Sequence, residues 1–236
     1  MAGEAKALRD RAITDPEGFW GDAAQLIDWY QEPRTVLDTS AAPATHWFPD
    51  GTLNTCFNAV DRHVRDGRGD QRAICYDSPV TGTKRTFTYA ALLDEVARVA
   101  GGLRRLGVGK GDRVLIYMPM IPEAAFAMLA CARLGAVHSV VFGGFSGAEL
   151  STRIDDCACK VILTASCGIE PARLVEYKPM IDEGRRLAQV QVEHVVVLQR
   201  EQHRAALDGG ELDWADFIDG AEPADCVPVA STDPLY

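Results

Sequence analysis

Two consecutive glycines, Gly143 and Gly144, stand where a β-branched run ends and a predicted helix begins. Neither residue has a Cβ, so the backbone there can turn sharply or approach a flat ligand closely. Ser146 and Glu149 follow with the Ser-x-x-Glu spacing of a capping box, which predicts a helix start. Open α/β sheets bind ligands at such strand-to-helix junctions. We therefore expect a binding edge here, and the alternative is that both glycines only form the turn.

A second glycine-rich segment, Gly107–Asp112, resembles a nucleotide loop in composition only. It follows a predicted helix and precedes a predicted strand, which is the reverse of a dinucleotide-binding loop, so it is predicted to be a tight turn. The pair Gly143–Gly144 has the correct context, but it lacks the third glycine and the acidic residue about 20 positions later. These gaps argue against a nicotinamide-dependent oxidoreductase. The sequence also contains no Gly-x-Ser-x-Gly elbow and no phosphate-binding P-loop.

The remaining reactive side chains form no complete catalytic set. Arg173, just after Pro171, could bind an anion through two parallel hydrogen bonds, and the alternative is a solvated surface arginine. Five dispersed histidines are interpreted as packing or surface residues. Seven cysteines are an odd number without a zinc spacing, so neither a disulfide framework nor a metal site is predicted. We assign no catalytic residue and no metal ligand.

Composition limits the classes of protein that fit. The chain has 236 residues, 47% of them hydrophobic, which is enough for a globular core. A formal net charge of −10 leaves no basic surface for nucleic acid or anionic membranes. No apolar run reaches the ~18 residues of a membrane span, and the charged N-terminus has no signal-peptide core. A cytoplasmic protein is therefore expected.

Residues 1–70 are predicted to form an N-terminal helical and irregular arm. The pair Thr14 and Glu17, with a proline between them, predicts a capped helix. Prolines and small polar residues predict an irregular path over residues 33–51. The segment Leu53–Val64 has apolar residues at helical spacing. Three aromatic residues would anchor this arm to the rest of the protein: Trp29, Trp47 and Phe48.

Residues 71–236 are predicted to form an α/β domain. Two short strands around a turn, Ala73–Asp77 and Lys84–Thr88, predict a hairpin that leads into a helix over Tyr89–Leu106. Strands and helices then alternate, which predicts a parallel sheet flanked by helices. The strands are Arg113–Met118, Ala136–Phe142, Val161–Thr164 and His194–Leu198, and the helices are Pro122–Leu134, Ser146–Cys157 and Val175–Leu187. Trp214 and Phe217 are predicted to be buried in the polar region that follows.

Taken together, these segments resemble the N-terminal part of AMP-forming short-chain acyl-CoA synthetases, within the adenylate-forming superfamily. The resemblance runs from about residue 15 to 236. Its markers are Trp47–Asn54, Asn58, Asp61–His63, Phe87–Tyr89, Gly111–Val114, Ala132–His138 and Phe142–Ser146. Two further segments, Ala165–Pro171 and Tyr177–Pro179, look more like the propionyl-CoA than the acetyl-CoA synthetase branch.

The resemblance implies a reaction in which propionate or acetate and ATP, with Mg²⁺, form an acyl-adenylate that coenzyme A converts to the thioester. In this family the ATP phosphate loop follows soon after a segment like Asp233–Tyr236, at which this sequence stops. We therefore expect a partial N-terminal domain that is inactive alone and self-associates through exposed surfaces. ATP, coenzyme A and Mg²⁺ are the cofactors implied for the full-length enzyme, and none of them is assigned to these residues alone. The alternative is a non-catalytic α/β module that binds coenzyme A or a partner.

The resemblance also implies which residues contact coenzyme A. Similar enzymes use the Phe-Gly-Gly segment, here Phe142, Gly143 and Gly144, and two arginines three positions apart. That arginine pair aligns with Glu170 and Arg173. Glu170 reverses the charge expected beside a nucleotide phosphate, so Arg173 carries the expected phosphate contact.

Overall fold

The computed structural model describes residues 2–236, which divide into two compact units. One unit comprises the chain up to Asn54 together with Pro228–Asp233, and the other comprises Thr55–Val227 with Pro234–Tyr236. The predicted boundary between an arm and an α/β domain at residue 70 stays a prediction. No helix within residues 2–236 combines the length and the apolar composition that crossing a membrane requires.

The smaller unit contains two helices and two short antiparallel strand pairs. The helices are α1 (Ala2–Thr14) and α2 (Pro16–Ala24), and the strands are β1 (Leu37–Asp38), β2 (His46–Trp47), β3 (Thr52–Leu53) and β13 (Val229–Ala230). Strand β1 pairs with β2, and β3 pairs with β13. The expected aromatic anchors contact neighbouring rings, with centroid distances of 5.9 Å for Trp20 and Trp47 and 5.6 Å for Trp29 and Phe48.

The larger unit is built around a five-stranded parallel sheet. Its strands are β6 (Arg113–Tyr117), β7 (Val137–Val140), β8 (Val161–Ala165), β11 (His194–Leu198) and β12 (Glu211–Asp213), in the spatial order β12-β11-β8-β6-β7. Its helices are α3 (Tyr89–Arg105), α4 (Pro122–Leu134), α5 (Gly147–Cys157), α6 (Lys178–Leu187) and α7 (Trp214–Ile218). Two hairpins complete it, β4 (Arg72–Ser78) with β5 (Thr83–Thr88), and β9 (Cys167–Glu170) with β10 (Arg173–Glu176).

The central strands bury side chains on both faces of the sheet. In β6, Val114 and Ile116 join the core that contains α3, α4 and α7, whereas Leu115 and Tyr117 join the core that contains α5 and α6. Strands β8 and β11 alternate in the same way. Because both faces are covered, these strands have nearly continuous apolar sequences. The predicted α/β class, with a parallel sheet flanked by helices and preceded by N-terminal helices, is confirmed.

Two predicted boundaries in the first 70 residues are wrong. Asp15, not Thr14, caps α2, since the Asp15 carboxylate accepts a hydrogen bond from the Gly18 N–H at 3.1 Å. Thr14 is instead the last residue of α1, and its hydroxyl donates to the Asp10 carbonyl oxygen at 2.9 Å. Leu53 lies outside the predicted helix because it pairs with Val229 in an antiparallel ladder. That helix begins at residue 55 and contains two π-helical turns, Phe57–Asp61 and Val64–Arg68.

A third boundary, at the start of α6, is also wrong. Val175 pairs with Gly168 in the β9–β10 hairpin, so the helix predicted from Val175 begins at Lys178. Val175 is instead buried from the strand β10, in the same core that Ile181 joins from α6. The other predicted elements of the larger unit are found within a few residues of their expected ends. Thr88 caps α3, and the Ser146–Glu149 capping box is present.

Helix α3 lies unusually close to the chain between Phe217 and Glu222. A Cβ on Gly101 would overlap the carbonyl oxygen of Glu222, and one on Gly102 would lie 2.6 Å from the Phe217 ring. One turn later, the Arg105 guanidinium donates hydrogen bonds to carbonyl oxygens of Asp216, Phe217 and Asp219, each at 2.9 Å. Because Gly101 and Gly102 have no side chains, α3 can contact the segment Phe217–Glu222 directly. The hydrogen bonds of Arg105 stabilise that contact.

We predict that Gly101→Ala destabilises the protein because its methyl group would displace the main chain at Glu222. Overpacking of this kind lowers the free energy of unfolding by about 1–3 kcal/mol, even though alanine favours helices by up to ~1 kcal/mol. Gly109→Ala in the same unit is the matched control, since a Cβ there meets no atom within 4 Å. Urea denaturation of both variants checks the prediction, and equal stabilities would contradict it.

Candidate functional site

The parallel sheet reverses its winding direction between β6 and β8. Strand β6 connects through α4 to β7 on one side, whereas β8 continues to β11 on the other side. Adjacent strands whose connections leave in opposite directions create a crevice at their carboxyl ends, where open α/β sheets bind ligands. A cavity of about 460 Å³ lies there, lined by the residues that follow β6, β7 and β8. Sequence and topology thus lead to the same edge.

The cavity has apolar walls and a few polar groups. The segment after β6 contributes Met118–Ile121, and the segment after β7 contributes Val141–Gly143. Met120 and Phe142 are 93% and 76% exposed, which is unusual for such large apolar side chains. Among the polar groups, Arg200 is half-buried, and its guanidinium donates to the Cys167 carbonyl oxygen at 3.1 Å. Within residues 2–236 no carboxylate forms an ion pair with it, so its positive charge is available to the cavity.

Two tyrosines, Tyr117 and Tyr177, pack against the glycine pair. The Tyr117 hydroxyl donates to the Phe145 carbonyl oxygen at 3.0 Å and accepts from the Gly144 N–H at 3.2 Å. Its ring packs on that of Tyr177, with centroids 4.6 Å apart. A Cβ on Gly143 would overlap the Tyr177 hydroxyl oxygen, and Gly144 has a φ of 127°. Each glycine is therefore required by the protein's own packing and backbone.

Both tyrosines are uncharged at neutral pH. Burial raises the pKa of Tyr177 to about 12, with the neighbouring Tyr117 as the next cause. Burial also raises the pKa of Tyr117. Sequence reasoning missed this pair, although two signals were present: one tyrosine ends a buried apolar strand, and the other directly precedes a helix.

The predicted phosphate contact is already engaged by another side chain. Glu170 and Arg173 face each other across the β9–β10 hairpin. The Arg173 Nε donates to Glu170 at 2.8 Å, and its Nη2 donates to the same carboxylate at 3.3 Å. Because the Arg173 side chain is 68% exposed, water screens this pair and it opens easily. The structure brings Phe142, Gly143 and Glu170 to the cavity wall, while Arg173 lies at the tip of the hairpin beside it.

Among the described residues, two groups of side chains have the right types and spacing for a metal ion, but neither has room for one. The thiols of Cys56 and Cys226 with the Asp61 carboxylate, and the carboxylates of Asp182, Asp208 and Glu211, each lie close enough to share a cation. Arg133 contacts all three side chains of the first group, and the Lys178 ammonium ion-pairs with all three of the second. A protein cation thus occupies each position, and we assign no step to a metal.

Similarity searches agree with the architecture. Residues 60–236 match the family model described as AMP-binding enzyme, and residues 5–59 match the acetyl-coenzyme A synthetase N-terminus. An uncharacterized Pseudomonas aeruginosa protein is 57% identical over 96% of this chain and 36% of its own length. Human acyl-CoA synthetase short-chain family member 3, mitochondrial, is 50% identical over 95% of this chain and 33% of its own. The structure of acetoacetyl-CoA synthetase from Streptomyces lividans covers 96% of this chain and 34% of its own, with a TM-score of 0.85 and 26% identity.

Fold and cavity define a doubly wound α/β domain with a ligand crevice at its switch point. Since the family model covers most of the sequence, the chain belongs to the AMP-binding enzyme family. Its relatives include short-chain acyl-CoA synthetases, which confirms the expected class of AMP-forming ligases at the level of homology. The chain spans about a third of the length of the curated relatives it matches.

We predict that Gly143→Ala destabilises the protein through its clash with the Tyr177 hydroxyl, by about 1–3 kcal/mol. Tyr177→Phe removes the oxygen that the new methyl group meets first, so the cost of Gly143→Ala becomes smaller in that background. Tyr117→Phe is the matched control. It removes a hydroxyl that bonds to Gly144 and Phe145, and it leaves the clash between the new methyl group and Tyr177 unchanged. A double-mutant cycle by urea denaturation measures the coupling. Equal costs in both backgrounds would contradict the proposed contact.

Proposed function

We propose that these residues are the N-terminal part of a short-chain acyl-CoA synthetase. In this proposal propionate or acetate reacts with ATP to give an acyl-adenylate and pyrophosphate, and coenzyme A then displaces AMP. Two family matches that together cover residues 5–236 support it, as does the name of the human relative. Propionate is the preferred acid in the proposal because Ala165–Pro171 and Tyr177–Pro179 resemble the propionyl-CoA branch.

The cavity supports a role in binding coenzyme A. Its apolar wall, with Phe142 exposed beside Gly143, provides a surface on which the flat adenine or the pantetheine chain can lie. Arg200 supplies a positive charge without a carboxylate partner among the described residues, and Arg173 supplies a second one once it leaves Glu170. Guanidinium groups bind phosphates in a fixed two-bond geometry. Phe142, Gly143, Gly144 and Arg173, with Glu170 as the competing charge, are the proposed binding residues.

The other function considered is a non-catalytic module that binds coenzyme A or a protein partner. The exposed side chains of Met120, Val140 and Phe142 favour it, because large apolar groups gathered beside a cavity are typical of binding surfaces. Self-association through this surface stays a prediction, to be checked by light scattering over a range of concentrations. A cytoplasmic location is also part of the proposal, whereas the name of the human relative assigns that protein to mitochondria.

We predict that the 236 residues alone release no AMP from ATP, Mg²⁺, propionate and coenzyme A above a protein-free control. The reason is that no described residue completes a catalytic set and that the relatives are about three times longer. Acetate replaces propionate in a parallel assay. Steady AMP release by this chain would contradict the view that it supplies only part of the catalytic machinery.

We predict that the same chain binds coenzyme A in titration calorimetry, and that Arg200→Ala and Arg173→Ala each weaken binding by about tenfold, as loss of a charge-assisted hydrogen bond does. Arg186→Ala removes an exposed arginine in the last turn of α6, outside the cavity lining, and is the matched control. Dephospho-coenzyme A, which lacks the 3′-phosphate, should bind the Arg173→Ala variant and the unchanged protein equally. Unchanged affinity in both cavity variants would contradict the assignment.

A further inference from the structure

A buried cluster in the larger unit joins two cysteines that are far apart in the sequence. Cys56 is fully buried at the start of the helix that begins at residue 55, and Cys226 is half-buried in the C-terminal segment. Arg133, near the end of α4, lies between them. Its Nη1 is 2.7 Å from Asp61 Oδ2, 3.1 Å from Cys226 Sγ and 3.6 Å from Cys56 Sγ. None of these four residues lines the cavity.

The cluster is arranged around a positive charge. The Cys56 and Cys226 sulfurs and a carboxylate oxygen of Asp61 lie within 4.8 Å of one another. The guanidinium that contacts all three remains charged at any accessible pH and is only 5% exposed. It favours negative charge on the sulfurs, whereas the Asp61 carboxylate, which accepts weak hydrogen bonds from both thiols, acts to raise the pKa of each.

The two thiols share this favourable environment unequally. A hydrogen bond from the Cys226 thiol, followed by the charge of Arg133, lowers the pKa of Cys56. The same hydrogen bond raises the pKa of Cys226, so Cys56 is the thiol that ionises first and Cys226 keeps its proton. A thiolate is the reactive form toward oxidants, and here it has a second thiol beside it. Cys131 shows the opposite situation, because burial raises its pKa to about 12.

We propose that Cys56 and Cys226 are a redox modification site, at which a hydroperoxide converts the two thiols into a reversible disulfide. Cys226 is the sulfur that solvent reaches. Transfer of the Cys226 proton to the Cys56 thiolate leaves the charge on the more accessible sulfur, and the Cys226 thiolate then attacks the peroxide oxygen, which gives a sulfenic acid and releases hydroxide. Cys56 then attacks the Cys226 sulfur and forms the S–S bond, and the sulfenic hydroxyl leaves with the Cys56 proton as water. Two electrons pass from the sulfurs to the peroxide, which is fully reduced.

The charged residues around the two sulfurs are compatible with both the thiol pair and the disulfide. When the thiolate charge disappears on oxidation, Arg133 keeps its 2.7 Å contact with Asp61, so no charge is left buried without a partner. The sulfurs, which now lie within 4.8 Å of each other, must approach to about 2.05 Å. Each cysteine is two residues or fewer from a point where the chain passes between the compact units, after residues 54 and 227. The disulfide therefore ties together the two places on the larger unit from which those connections leave.

The test treats the 236-residue chain with hydrogen peroxide and then blocks the remaining thiols with N-ethylmaleimide in denaturant, so that buried cysteines also react. A non-reduced tryptic digest is analysed by mass spectrometry. We expect a cross-linked peptide that contains Cys56 and Cys226, at about tenfold greater yield than any product of Cys131. Dithiothreitol should reverse it. Cys226→Ser should abolish this peptide, whereas Cys75→Ser, which removes an exposed cysteine outside the cluster, should leave its yield unchanged.

Two results would overturn the proposal. In the first, Cys75 is oxidised while Cys56 and Cys226 are both recovered as maleimide adducts, which would show that the oxidant acted and the pair did not react. In the second, either cysteine is found only in other disulfides or as a sulfinic acid, which would show that the two sulfurs do not meet. The unchanged protein gives both readouts, so the test does not depend on the folding of any variant.

Discussion

The whole larger unit depends on one constraint, namely that the central strands must be covered on both faces. Val114 and Ile116 point to one helical layer and Leu115 and Tyr117 to the other, so neither face of β6 can remain in water. Helices on both sides require crossover connections that leave the sheet in both directions. A reversal of direction next to β6 follows from this, and with it the crevice at the carboxyl ends of β6 and β8.

Around that crevice, two groups that the sequence offered to a ligand already contact other residues of the protein. The space in front of Gly143 is taken by Tyr177, and the charge of Arg173 is balanced by Glu170. The Arg173–Glu170 contact is local, across one hairpin, whereas the contact of Gly143 with Tyr177 joins the segment after β7 to the residue that follows the same hairpin. A ligand at this edge therefore competes with an existing partner at Arg173, whereas it meets Arg200 without such competition from any described carboxylate.

Sequence reasoning succeeded where local chemistry and long-range packing demand the same structure. The helix Pro122–Leu134 has proline at its start and Gly135 in the left-handed conformation at its end, and it was predicted residue for residue. Leu53 was placed in a helix because its spacing suits a helical face, and Val175 was placed at the start of the next predicted helix, but each pairs with a strand partner that no local pattern reveals. The cluster around Arg133 could not be predicted for the same reason, since its two cysteines are brought together only by the fold.

The attachment of α3 to the segment after β12 constrains how many residues that segment has, but not which residues they are. Arg105 and the glycine surface of α3 meet carbonyl oxygens and main-chain atoms at Asp216, Asp219 and Glu222, and use none of the side chains of those three residues. Every amino acid carries the same carbonyl group, so exchanges at these exposed positions leave the attachment intact. An insertion or deletion would move the oxygens out of register. Related sequences should therefore vary freely in composition here while keeping the same number of residues.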